Sequence, residues 1–214
     1  MSSVLNKRIF SSIILISLIF TILNLKNIFF LIFLIIVFFI CSYEWLKLVN
    51  KNYFKICGLL FLIFSFYAAY KIKVLNENNL VFYFTILVTI GSDLGGYIFG
   101  KIFQGPKLTN ISPNKTYSGV IGSFLTSIVL VSVYSQFSDI KILNLEKFSY
   151  KFILLILILS FISQFGDLVI SYYKRIAGLK DTGNLIPGHG GFLDRLDGAI
   201  FVFPCFYIII KTFS

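Results

Sequence analysis

Near the C-terminus, the run KDTGNLIPGHGGFLDRLDG from Lys180 to Gly198 holds the only histidine of the chain, three of its nine acids and five of its fifteen glycines. Asp194 and Asp197 are three residues apart, so if DRLD opens the last helix both carboxylates share one face and Arg195 points elsewhere. Such a pair suits Mg2+, a hard ion that takes one or two protein carboxylates and completes its shell with water and phosphate oxygens. The bland alternative is favourable charge at a helix N-terminus, worth ~0.3–1 kcal/mol. Just upstream, Pro187 to Gly191 reads PGHGG, a backbone free to take positive φ and to approach an anion ahead of a helix start. His189 in that loop either contacts phosphate or makes a structural hydrogen bond that fixes the loop.

Eight charges lie between Asp167 and Asp197. Each Asp, Lys or Arg costs ~2.5–3.5 kcal/mol at a bilayer centre, so this segment cannot face lipid and must line water or a site. Asp167 follows an apolar run, where its carboxylate either holds a cation or marks the membrane boundary. A second polar stretch, GSDLGGYIFGKIFQGPKLTNISPNKT, runs from Gly91 to Thr116. There Asp93 interrupts an apolar run and is expected to face the bundle interior, while Lys101, Lys107 and Lys115 add positive charge just outside the membrane. Carboxylates for a metal beside cations for phosphates is the combination that phosphoryl or nucleotidyl transfer requires. For Lys101 and Lys107, simple positive-inside topology explains the charge as well.

The elements that must position these residues are membrane helices. The chain has 214 residues, 57% hydrophobic and only 13% charged, with a mean hydropathy of +0.90, and apolar runs approach the ~20 residues that cross ~30 Å of hydrocarbon. The composition predicts an all-α polytopic bundle with about seven spans, at about 9–23, 28–43, 56–70, 80–100, 119–137, 152–170 and 197–213. The first run is read as a retained helix and not a signal peptide, because no small-residue cleavage site follows it. The first three runs are short for full spans. Tyr43, Trp45, Tyr53 and Tyr67 fit interfacial belts. A single membrane domain is expected, with N-terminal helices of uncertain role over residues 1–79 and the catalytic portion over 80–214.

The formal charge of +10 comes from nineteen Lys and Arg scattered over short loops, which excludes a nucleic-acid surface and points to topology and anionic lipid. Cys41, Cys57 and Cys205 have no paired spacing and give neither a disulfide framework nor a zinc site. With the N-terminus in the cytoplasm, Lys7, Arg8, Lys47, Lys51, Lys55, Lys101, Lys107, Lys115, Lys174, Arg175, Lys180 and Arg195 fall inside. Lys26, Lys71, Lys73, Lys141, Lys147, Lys151 and Lys211 then fall outside, a split of 12 to 7 in favour of this orientation. Both large polar interruptions, about 101–118 and 171–196, then lie on the cytoplasmic side.

The stretch SYYKRIAGLKDTGNLIPGHGGFLDRLD, Ser171 to Asp197, resembles the C-terminal signature of the CDP-diacylglycerol synthase, or phosphatidate cytidylyltransferase, family. SQFGDL, SDLGGYIFGK and ISPNKT resemble other blocks of that family in the same order, and Glu44 with Trp45 fits as well. The resemblance implies an integral enzyme of the bacterial inner membrane that joins CTP to phosphatidic acid at the cytoplasmic face, giving CDP-diacylglycerol and diphosphate. It implies dependence on Mg2+ and, in some members, on K+. It also implies that Asp167, Asp194 and Asp197 hold cations, with Lys180 and Asp181 in the catalytic group. Lys174, Arg175, Lys180 and Arg195 would bind the triphosphate or phosphatidate, with Asp93 and Lys115 beside them, and Gly188, His189, Gly190 and Gly191 would cradle phosphate.

The chain departs from the family pattern at Ile170, where members carry Glu; at Tyr117 and Ser118, where they carry Trp-Glu; at Gly198, where they carry Ser; and at Tyr173, where they carry an aliphatic residue. A CDP-alcohol phosphotransferase is the second reading, although the aspartate spacing of that class is absent. A cation-coupled transporter using Asp93 and Asp167 is the third, and it leaves PGHGG and DRLD without a role. A homodimer is left open.

Overall fold

The computed structural model describes residues 21–74, 79–109, 112, 115–138, 142–143, 145–185 and 190–213. Among them are seven helices: α1 (Asn27–Leu48), α2 (Asn52–Val74), α3 (Leu80–Phe103), α4 (Tyr117–Phe137), α5 (Tyr150–Ile176), the four-residue α6 (Leu193–Leu196) and α7 (Ala199–Phe213). The described residues contain no strand, and an isolated antiparallel bridge joins Lys107 and Thr116. Helices α1 to α5 are each long and apolar enough to cross a membrane, and a helix is the form in which a lipid-embedded backbone satisfies its own polar groups. The chain is thus an all-α polytopic membrane protein. Most of the first predicted span, 9–23, lies outside the described residues.

Six predicted spans meet observed helices, but α1 and α2 are 22 and 23 residues long. At 1.5 Å per residue these reach ~33 Å, a full hydrocarbon thickness, so the apparent shortness of these runs is corrected. The helices gain their length by taking in polar residues: Glu44 and Lys47 at the end of α1, Lys71 and Lys73 at the end of α2. The last helix, α7, has 15 residues, about 22 Å, and Pro204 lies inside it.

The chain forms two compact units, Met1–Tyr70 with Tyr173–Leu196, and Lys71–Tyr172 with Asp197–Ser214. In the second, α3 and α4 pack through small residues. A Cβ on Gly95 would run into Thr126 Oγ1 and the Gly122 carbonyl group, and one on Gly122 into Phe99 and the Gly95 carbonyl. The backbones approach because neither residue has a side chain, which is how helices associate where lipid removes the hydrophobic drive. Hydroxyls then bond across the seam: Ser123 Oγ donates to Ser92 O at 2.6 Å, Thr126 Oγ1 to Gly91 O at 2.6 Å and Ser127 Oγ to Val88 O at 3.0 Å. The glycines of GSDLGGYIFG thus serve helix contact. Gly95→Leu should separate α3 from α4 and cost about 1–3 kcal/mol by overpacking, read as a lower melting temperature in detergent; an unchanged temperature would show that the seam is loose.

In the first unit, Trp45 is buried and its indole Nε1 donates to Lys55 O at 3.3 Å. A Cβ on Gly58 would enter the indole ring. The tryptophan is therefore a packing residue, a correction to its reading as an interfacial anchor, while Tyr43, Tyr53 and Tyr67 are exposed. Tyr173 packs edge-on against Trp45 and Phe54, with centroid distances of 4.9 and 6.0 Å.

Candidate active site

Helix α5 ends in a hydrogen-bond pattern that fixes where its last lysine points. Gly178 takes φ +69°, Leu179 N donates to Lys174 O at 2.8 Å and Gly178 N to Arg175 O at 3.1 Å. This is the Schellman arrangement, which needs a residue free to adopt the left-handed region. The chain then turns back, and Lys174 Nζ meets Asp194 Oδ1 at 2.6 Å, the two side chains only 11% and 6% exposed. The other carboxylate oxygen, Oδ2, accepts from Thr182 N at 2.7 Å, Thr182 Oγ1 at 3.0 Å and Gly191 N at 3.1 Å. Asp194 therefore ties both ends of the loop to the end of α5.

A second carboxylate sits behind it. Glu44, from α1, is 2% exposed; its Oε1 accepts from Phe192 N at 3.0 Å, and its Oε2 from Leu193 N at 2.8 Å and Thr182 Oγ1 at 2.9 Å. These amides open α6 and have no partner within it, so the acid caps that turn. Cβ atoms on Gly183 or Gly191 would run into the Glu44 carboxylate, and the glycines in this stretch make room for a protein acid. Sequence reasoning did not place Glu44 in the site. The available signal was an acid inside an apolar run, and an intramembrane acid is by default a functional candidate.

In the other unit, Lys115 Nζ lies 2.6 Å from Asp167 Oδ2, with the side chains 24% and 30% exposed. Ser171, one turn along α5, donates to Asp167 Oδ1 at 3.2 Å. Lys115 is placed by local pairing: Leu108 N donates to Lys115 O at 2.8 Å, and Thr116 Oγ1 caps α4 by accepting from Gly119 N at 3.1 Å. The carbonyl of Asp197 lies where a Cβ on Gly166 would be, so Asp197 enters the neighbourhood of Asp167.

Several readings change. DRLD does not open the last helix: residues 193–196 form α6, Asp197 and Gly198 form a turn, and α7 starts at Ala199. Asp194 and Asp197 thus do not share a helix face, because Gly198 starts the new helix by accepting from Phe201 N and Val202 N while Asp197 Oδ1 accepts from Gly198 N. Asp93 is exposed and does not face the interior of its unit, since the close face of α3 is taken by Gly91, Ser92 and Gly95. Lys180, Asp181, Arg175 and Arg195 are exposed, and a Cβ on Gly190, at φ +89°, would contact Asp181 and Asp194. Gly188 and His189 lie outside the described residues.

Within either unit, no three acids, histidines or cysteines gather among the described residues. A single aspartate can still serve a divalent ion that draws most of its shell from phosphate and water. Asp167 is partly open and its charge is already met by an ammonium, which stands where a cation is favoured. Asp194 retains an acceptor position on Oδ1 beyond its lysine.

Comparison with known proteins decides the family. The pattern described as the cytidylyltransferase family matches residues 54–213, about three quarters of the chain. The chain belongs to this family. A phosphatidate cytidylyltransferase of Rickettsia typhi is 35% identical over 94% of this chain and 89% of its own, and one of Rickettsia prowazekii is 38% identical over 94% and 90%. One from Bacillus subtilis is 40% identical over 70% of this chain and 54% of its own. The chain spans between about half and two thirds of the length of the Bacillus and Staphylococcus relatives it matches.

The cytidylyltransferase frame explains several departures. Ile170 is buried at 2% exposure, a setting that would charge a glutamate heavily for desolvation. Tyr173 completes the cluster with Trp45 and Phe54. Ser118 donates to Gln104 O at 2.6 Å and so holds the end of α3. The space that a side chain at position 198 would fill is taken by the Ser163 hydroxyl.

Proposed function

We propose that this cytidylyltransferase joins CTP to phosphatidate, forming CDP-diacylglycerol and diphosphate. The observation that carries the reading is that, in each unit, an aspartate of the signature stretches is held 2.6 Å from a lysine of another segment. Such pairs hold carboxylates and cations ready for phosphate oxygens and counterions. A phosphatidate oxygen forms a bond to the α-phosphorus of CTP while the bridging bond to the β-phosphate breaks, and diphosphate leaves with the electron pair. Phosphate is already anionic, so no strong general base is needed. On this reading Lys115, Lys174, Arg175, Lys180 and Arg195 would neutralise phosphate charge, Asp167, Asp194 and Asp197 would supply oxygen ligands for Mg2+, Asp93 would serve the substrate and Asp181 the catalytic group, and Gly188, His189, Gly190 and Gly191 would cradle phosphate. Bound Mg2+ would supply electrostatic neutralisation of the phosphoryl oxygens and the leaving group.

If α1 to α5 each cross, the connections after α1, α3 and α5 leave from one side, and the lysine and arginine excess supports reading that side as cytoplasmic, with the bacterial inner membrane as the proposed location. The catalytic portion then extends beyond residues 80–214 to include α1.

The test is purified protein in detergent with CTP, phosphatidate and Mg2+, with and without K+, and size measurement for a homodimer. CDP-diacylglycerol and diphosphate in equal amounts are expected. Product only from CDP-diacylglycerol and an alcohol, or ion uptake by sealed vesicles without CTP turnover, would overturn the reading. Lys180→Ala should raise the KM for CTP or phosphatidate about tenfold, the loss of one exposed charge-assisted contact; an unchanged KM removes Lys180 from the site.

A further inference from the structure

Glu44 lies outside the stretch that matches the family, residues 54–213, yet its carboxylate is the most buried acid of its unit and is fully engaged by the signature loop. Thr182 Oγ1 is 2.9 Å from Glu44 Oε2 and 3.0 Å from Asp194 Oδ2. A hydroxyl has one hydrogen, so it serves one carboxylate at a time and makes the position of each depend on the other. Glu44 also holds the amides of Phe192 and Leu193, the residues immediately before Asp194. An acid that only filled space in a lipid-embedded helix would not be met by three donors from one loop.

We infer that Glu44 is a positioning residue for Asp194: through Thr182 and the amides of Phe192 and Leu193 it sets the orientation in which Asp194 meets Lys174 and its ligands. The inference rests on the function proposed above for this site. Supporting groups of this kind orient ligating carboxylates, and their loss commonly lowers affinity or activity 10- to 100-fold.

Glu44→Gln keeps the size but turns one carboxylate oxygen into a donor facing donors. It should lower kcat 10- to 100-fold, raise the Mg2+ concentration for half-maximal rate, and speed amide hydrogen exchange over residues 180–194 while α3 and α4 exchange as in the wild type. Thr182→Val should reproduce the kinetic loss, and Thr182→Ser, which keeps the hydroxyl, should restore it. The single tryptophan, Trp45, adjoins Glu44 and touches Tyr173, so its emission on adding Mg2+ alone gives a readout independent of turnover. A titration that shifts to higher Mg2+ in Glu44→Gln supports the inference. Wild-type kcat and Mg2+ dependence in Glu44→Gln, or a Thr182→Ser variant as impaired as Thr182→Val, would overturn it. If the wild type makes no CDP-diacylglycerol, the proposed function fails, while exchange and Trp45 emission still decide the role of Glu44.

Discussion

Asp194→Asn should lower kcat by about 10²- to 10³-fold, the scale for removing one preorganised electrostatic group from a reaction centre. The side chain is nearly buried and bonded to Lys174, Thr182 and Gly191, so the substitution also affects the fold. Removing one partner of a buried ion pair costs about 3–5 kcal/mol because the other charge is left unpaired. For a chain of this size that lowers the melting temperature by about 10 °C. Inactivity alone therefore cannot separate chemistry from collapse of the loop. Lys174→Met combined with Asp194→Asn removes both charges, and Asn still offers an oxygen to the Thr182 and Gly191 amides. The double variant should recover most of the melting temperature and none of the activity. Recovery of both would reduce the pair to a structural tie and sink the assignment of Asp194 to the reaction.

What could be read from the sequence follows the strength of the physical signal. The span positions were legible because lipid imposes one solution on a long apolar run, and α3, α4 and α7 begin within a few residues of their predicted starts. Helix ends were not, because hydropathy falls where Glu44, Lys47, Lys71 and Lys73 enter while the hydrogen-bonded helix continues through them. The candidate stretch stood out through the charge density between Asp167 and Asp197. The geometry inside them was hidden for a specific reason: DRLD has helical spacing, but the turn at Asp197 and Gly198 breaks it, and only tertiary packing of Gly198 against Ser163 reveals the break. Glu44 was hidden differently. Its partners stand 138 to 149 residues away in the chain, and no local pattern reports a contact at that separation.

The Lys115 and Asp167 pair poses the opposite case, since both side chains are partly exposed. An exposed ion pair contributes little to stability, so Asp167→Asn should leave the melting temperature near that of the wild type while kcat falls about 10²- to 10³-fold. Lys115→Met should act mainly on the KM for a phosphate-bearing substrate if, as proposed, the ammonium that meets the Asp167 carboxylate in the resting protein passes to phosphate oxygens during turnover. The decisive variant exchanges the charges, Lys115→Asp with Asp167→Lys. A pair that merely staples the segment before α4 to α5 works in either direction, and the exchanged protein would then keep its rate. A carboxylate that serves a cation and a lysine that serves a phosphate cannot trade places, because Asp167 stands on α5 beside the main chain of Asp197, whereas Lys115 stands on the turn before α4. The exchanged variant is therefore expected to fold, insert and remain inactive at any Mg2+ concentration.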